Sequence, residues 1–306
     1  KEKIVSKNII EARSLVKYFG SQAVINGVHL EIPEGESFVV LGSKGAGKTT
    51  LLGLLANFIT PSAGDLFIQG QNTKVVGEAV RKKLGYIMDK DLFDQQLNVE
   101  ENLWIYARYM GLSSSEARKR IVECMRFFEI ADYQESSIES LNTFEKRCLR
   151  ACRAILHKPK LIIVDELLSG LGLLEQNFLT DRLLDLKKQG LSIIFSTDSM
   201  MEADRLADRV GILSAGKLLL EGSPSKIIEN EIGFEVVEFD CREDEVEYLV
   251  SKISSSYEYR NRGTKIYVYI RSGQDSRNVL DMISGEEMSL RRARLSDVVT
   301  KLELSH

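Results

Sequence analysis

The run Gly42-Ser43-Lys44-Gly45-Ala46-Gly47-Lys48-Thr49 fits G-x-x-x-x-G-K-[ST], and Thr50 continues it. Spaced glycines let main-chain N–H groups turn inward around phosphate oxygens, and the positive end of a following helix adds to the attraction. Lys48 would reach the terminal phosphates and Thr49 would hold Mg2+. A plain strand–turn–helix connection has no packing reason to place Lys-Thr after these glycines. Further along, Leu161-Ile-Ile-Val-Asp165-Glu166 ends an apolar run in two carboxylates. Asp165 would orient the magnesium shell, and Glu166 is the candidate general base for an attacking water. Capping of a strand end by two acids is the competing reading of this pair.

These residues need particular elements to hold them. Ser37 to Gly42 is an apolar run entering the glycine turn, and a helix is expected from Lys48. LIIVDE, SIIFST (Ser192 to Thr197) and RVGILS (Arg209 to Ser214) are similar runs bounded by polar residues. Continuous apolar strands alternating with helices predict an α/β fold with a buried, mainly parallel sheet. From about 98 to 155 no strand is expected. VEENLWIYARYMGL and SSSEARKRIVECMRFFEI read as helices, the second started by a serine before an acidic periodic run. After Gly222 the pattern changes to FEVVEFD, EDEVEYLVSKI, YEYRNRGTKIYVYIR, SRNVLDMI and MSLRRARL. This predicts a small α+β module with a central hairpin over 233–306. The main domain is expected over 8–222, with a linker near Gly222 to Gly233.

The chain has 306 residues, a formal net charge of −4 and 43% hydrophobic content. That length suits one large and one small domain. The mildly acidic balance, without a dense Lys/Arg block, predicts no nucleic-acid partner. Four cysteines without metal-type spacing point to a reducing compartment, although Cys148 and Cys152 share a helix face. No stretch resembles a signal peptide, and the apolar run Leu51 to Ile59 is too short to span a bilayer. The expected location is cytoplasmic, and work at a membrane would need spanning segments from another chain. His29 and His157 are expected to be structural.

With the cradle, TPSAGDLFIQG, LGYIMD, LNVEENL, LNTFE, LIIVDELLSGLG, STDSMMEADRLADRVGIL and AGKLLLEGSP in this order, the chain resembles the ATP-binding subunit of an ABC transporter. ENLWIYARYMGL, MEADRLADR and RRARLSDVVTKL look most like the export-type branch with separate membrane subunits. The resemblance implies a P-loop NTPase domain with a mainly parallel core sheet, an antiparallel β subdomain and a helical subdomain. It implies ATP and Mg2+ as ligands, and ATP contacts along Gly42, Ser43, Lys44, Gly45, Ala46, Gly47, Lys48, Thr49 and Thr50. It also implies integral membrane subunits as partners, a second nucleotide-binding domain (homodimer or heterodimer), and a peripheral place at the cytoplasmic face of a membrane. Phe19 falls where the family stacks an aromatic on adenine, with core or hairpin packing as the alternative. Tyr86, Trp104, Tyr106 and Tyr109 could line the groove for the membrane subunit, with core packing equally open for Trp104.

The chain departs from the family pattern at its contact elements. In the family, ATP is sandwiched between two domains, one giving the cradle and the other the clasp LSGGQ. Here the matching residues are Leu141, Asn142, Thr143, Phe144 and Glu145. Phe144 takes a glycine position, and Glu145 puts a carboxylate where a triphosphate would lie. Asn142 followed three residues later by Glu145 predicts a capping box, which satisfies the helix's own N–H groups. Asp89 stands for the sensor glutamine, Asp198 for the histidine switch, Gly172 for the D-loop aspartate, and Leu167 for the proline after Glu166. A carboxylate at 198 would repel the γ-phosphate. The pattern implies an ATP binder with impaired turnover. An active ATPase subunit and a regulatory pseudo-ATPase half of a heterodimer stay open beside it, and a soluble ABC protein of the ribosome or repair type fits less well.

Overall fold

The run read as too short for a bilayer begins with residues of a buried core, Leu51, Leu52, Leu54, Leu55 and Ala56. In the computed structural model, which describes residues 8–88, 90, 92–283 and 288–303, its first five residues form the latter part of the helix Lys48–Leu55. Leu51, Leu52, Leu54 and Leu55 are all buried, so this helix is apolar on nearly every side. It is enclosed by two sheets. One is antiparallel, with strand order Gln22–Pro33, Asn8–Phe19, Ala63–Ile68 and Gln71–Asn72. Ile10, Leu15, Ile25, Leu30, Leu66 and Ile68 from that sheet join the leucines in one core. Phe38, Val40, Ile163 and Ile194 close it from the other sheet. Each fully buried side chain of this size contributes roughly 1.5–3 kcal/mol.

The second sheet has the order Lys217–Gly222, Arg209–Ser214, Ser37–Leu41, Ser192–Thr197, Leu161–Asp165, Leu84–Ile87. The last five strands pair in parallel. Every residue of Ser37–Leu41, Leu161–Asp165 and Ser192–Thr197 is buried, which fits the apolar runs 38–41, 161–164 and 193–195 within them. Ala215 and Gly216 turn the chain from Arg209–Ser214 into Lys217–Gly222. The region from 98 to 155 holds the helices Val99–Tyr109, Ser114–Phe127 and Thr143–Ile155. Each opens with a capping box, Asn98 with Glu101, Ser113 with Glu116 and Asn142 with Glu145.

The chain divides into two compact units, 1–220 and 221–306. The stretch expected as a linker holds a helix, Pro224–Glu231, which packs on the helix Leu295–Glu303 of the second unit. Pro224 sits at the first turn, where its missing N–H is no loss and its fixed φ favours helix entry. Around these two helices the second unit runs Glu235–Asp240, Val246–Ile253, Glu258–Arg262, Lys265–Ile270, Ser276–Met282, Met288–Arg292. That is a βαββαβ chain order, with strands 235–240 and 265–270 central and 258–262 and 288–292 at the edges. Val237, Phe239, Ile266, Val268, Leu249, Ile253 and Val279 form its core. Among the described residues, no helix is long and apolar enough to cross a membrane.

Candidate functional site

The sheet register brings the predicted site residues together. Leu41 lies opposite Thr197, and Asp165 lies opposite Ser196. The glycine loop, the carboxylate pair and Asp198 therefore leave three adjacent parallel strands at the same carboxyl-terminal end, where open α/β sheets bind ligands. Gly42 N–H donates to Thr197 O at 3.3 Å, which ties the loop to the central strand. A side chain at Gly42 would place Cβ 2.4 Å from Leu213 O. Gly47, the residue before the helix, has φ 105° and caps it with no side-chain bond. The first turn carries no acidic residue. Its N–H groups are thus left to an external acceptor.

Lys48 is folded back into this loop. Its Nζ donates to Gly42 O at 2.9 Å and Ser43 O at 3.3 Å, and lies 3.2 Å from Glu166 Oε1. The side chain is only 4% exposed. Ser43, Lys44, Gly45 and Thr49 are exposed, Thr50 is half-buried and Ala46 is buried. Asp165 is buried at the strand end and accepts from Ser196 Oγ at 2.6 Å. The same Oγ accepts from Glu166 N–H at 3.1 Å. Ser196 was not among the expected site residues. The signal was present, since a buried hydroxyl in an apolar strand must find a partner.

Asp198 is exposed just past Thr197. Thr197 Oγ1 donates to Glu202 Oε2 at 2.7 Å. Burial raises the pKa of Glu202 above the usual carboxylate value, the negative charges of Asp198 and Glu166 add to that, and the Thr197 bond opposes it. Glu202, also unforeseen, therefore shares its surroundings with both. The rim beside the cradle therefore carries the carboxylates of Glu166, Asp198 and Glu202.

The clasp segment is engaged within its own chain. Asn142 Oδ1 accepts from Glu145 N–H at 2.9 Å, and Glu145 Oε2 accepts from Asn142 N–H at 2.7 Å. Tyr133 also hydrogen-bonds to Glu145, which raises the phenol's pKa. Thr143 begins the helix, and Phe144 packs edge-on against Phe178 with centroids 5.5 Å apart. Gly172 caps the helix Leu173–Lys188, and its N–H donates to the Glu175 carboxylate at 2.9 Å. Asp89 lies outside the described residues.

Phe19 is 52% exposed near the tip of a hairpin, opposite Gln22, so it is no core residue. The Lys17 ammonium lies 5.1 Å from its ring centre. Tyr86, Tyr106 and Tyr109 line a groove of about 420 Å3 with Phe58, Met88 and Leu92. Burial pushes the Tyr106 phenol up to about 12. Trp104 does not line this groove; it is half-buried with the Arg118 guanidinium 5.6 Å from its ring. His29 is exposed, and burial holds His157 down to about 4.

The ABC transporter family model matches residues 25–169, which span the cradle, the clasp segment and both carboxylates. The Nod factor export ATP-binding protein I of Cupriavidus metallidurans is 32% identical over 295 residues, covering 96% of this chain and 97% of that protein. Its namesake from Rhizobium sp. strain N33 is 31% identical over 299 residues, with 97% and 98% covered. A solved ATP-binding subunit of an ABC transporter superposes with a TM-score of 0.67 at 27% identity, over 72% of this chain and 92% of that one. A dimeric bacterial ABC transporter cassette gives a TM-score of 0.66 at 21% identity, over 70% and 98%. With a phosphate cradle closed by Lys48, two carboxylates on the neighbouring strand end and relatives matched along nearly their whole length, this chain belongs to the family of ATP-binding subunits of ABC transporters.

Proposed function

We propose that the chain binds Mg-ATP between Gly42 and Thr50 and serves as the nucleotide-gated subunit of an export complex, with hydrolysis slow or absent in a homodimer. The observation that carries the proposal is the Lys48 ammonium, held by loop carbonyls and Glu166 beside uncapped helix N–H groups. These donors fit a phosphate chain, and Thr49 with Asp165 would hold Mg2+, which supplies charge neutralisation when bound. The exposed Phe19 ring is available to adenine. Glu166 would accept a proton from water, but a base acts only on a water and phosphate held in line. Asn142 to Glu145, Gly172 and Asp198 are the positions where that alignment is weakened.

Export is supported by the names of the relatives, and the membrane subunit would select the cargo. The groove lined by Tyr86, Tyr106 and Tyr109 is the proposed seat for an integral membrane subunit, and on this reading the chain would work at the cytoplasmic face of a membrane. A second nucleotide-binding domain, identical or different, would complete each ATP site. The second unit, 221–306, is assigned an accessory role without part in ATP binding. The intact Glu166 favours one rival reading, an active ATPase that tolerates its altered contacts. The test of binding is titration of the purified chain with a fluorescent ATP analogue and Mg2+. Lys48→Ala should abolish binding, and equal binding by that variant would overturn the proposal.

A further inference from the structure

Arg147, Arg150 and Arg153 on the helix Thr143–Ile155 are all buried. Their spacing of three places them along one stripe. A buried guanidinium must find acceptors, and each of these reaches main-chain carbonyls of another segment. Arg153 donates to Leu92 O at 3.0 Å and Arg150 to Met88 O at 3.2 Å. Arg147 donates to Glu166 O at 3.3 Å and to Ser169 O at 3.4 Å.

Glu166 has φ 46°, the left-handed region that a residue with Cβ adopts only when its surroundings hold it there. Its N–H donates to Ser196 Oγ, and its carbonyl accepts from Ser169 N–H at 3.3 Å as well as from Arg147. In that posture its carboxylate reaches Lys48 Nζ at 3.2 Å. Ser196 and Ser169 belong to the sheet and to the turn itself. Arg147 comes from the helix Thr143–Ile155, which Asn142 caps.

We propose that Arg147 is a positioning residue for Glu166: it grips the carbonyls at both ends of the turn 166–169 and holds the Glu166 carboxylate against Lys48. The proposal rests on the reading of Lys48 and Glu166 as parts of the ATP site. A carboxylate on Lys48 competes with the phosphates for the same ammonium. Arg147 therefore sets how readily the cradle opens to nucleotide, and it links that event to the clasp helix.

The test is a double-mutant cycle on Mg-ATP affinity in the full chain. Arg147→Met keeps the apolar stem and removes the donors. It should tighten binding by about threefold or more, the scale of coupling between contacting residues. In a Glu166→Gln background the same substitution should change nothing. Arg147→Lys, which keeps the charge without the fork, should fall between, and it carries the comparison should Arg147→Met not fold. The same factor in both backgrounds, no change in either, or weaker binding in the otherwise unaltered chain would overturn the proposal. Lys48→Ala is titrated alongside. If it binds like the unaltered chain, the reading of the ATP site fails; if it does not bind and the cycle is additive, only the positioning role fails.

Discussion

Two helix N-termini in this molecule have opposite designs. The helix Lys48–Leu55 follows a glycine in the left-handed region, with no side-chain cap and no acid in its first turn. The helix Thr143–Ile155 follows Asn142, with a complete capping box and Glu145 at the third position. Any helix start offers free N–H groups and a positive dipole end. Whether an anion can use them depends on a few side chains. At the cradle those donors have no side-chain cap, and they follow Gly45 and Gly47, whose φ values of 87° and 105° favour glycine. At the other helix, Asn142 takes the Glu145 N–H and Glu145 the Asn142 N–H, and a carboxylate stands at the helix start.

The largest expected effect comes from carrying the clasp's design into the cradle. Thr50 occupies the third helical position, as Glu145 does in the other helix. Thr50→Glu should reach back to the Gly47 N–H and set a negative charge among the phosphate donors. Loss of ATP-analogue affinity by about a hundredfold is expected, from charge repulsion at short range plus lost donors. Circular dichroism should show the fold retained. Affinity within a factor of two of the unaltered chain would break the comparison.

A smaller effect is expected from opening the clasp. Asn142→Ala removes the cap of the helix Thr143–Ile155 and should lower stability by about 1 kcal/mol. Urea denaturation followed by far-UV circular dichroism measures this. Glu145 also holds Tyr133, so a loss well below that value would mean that Glu145 caps the helix start alone.

How much could be read beforehand follows the same division between local and distant contacts. The cradle, the strand ends and the capping box between Asn142 and Glu145 depend on neighbours within a few residues, so their spacing is legible in one dimension. The helix Pro224–Glu231 was missed because polar and glycine-rich flanks resemble a linker, although Pro224 is a helix-start residue. The buried arginines were missed for a different reason. Charged residues at helical spacing normally mark a solvated face, and only the fold brings Met88, Leu92 and Glu166 carbonyls against them. Ser196 and Glu202 depend likewise on strand register and on a helix returning beside the sheet. Trp104 shows the limit of composition, since an aromatic on the same helix as Tyr106 and Tyr109 need not line their groove.

We propose that this chain keeps the cradle and lacks a working clasp, so that it would bind ATP without efficient turnover. Losing a key positioning donor typically lowers the rate by about 10²–10³. A homodimer would lose the clasp and the histidine switch at both sites. The most direct test is steady-state phosphate release by the purified chain at saturating Mg-ATP, compared with Glu166→Gln. The account predicts equal, background-level rates for the two proteins. Brisk turnover that disappears in Glu166→Gln would contradict it, and would show that Asn142 to Glu145 and Asp198 are functional substitutes.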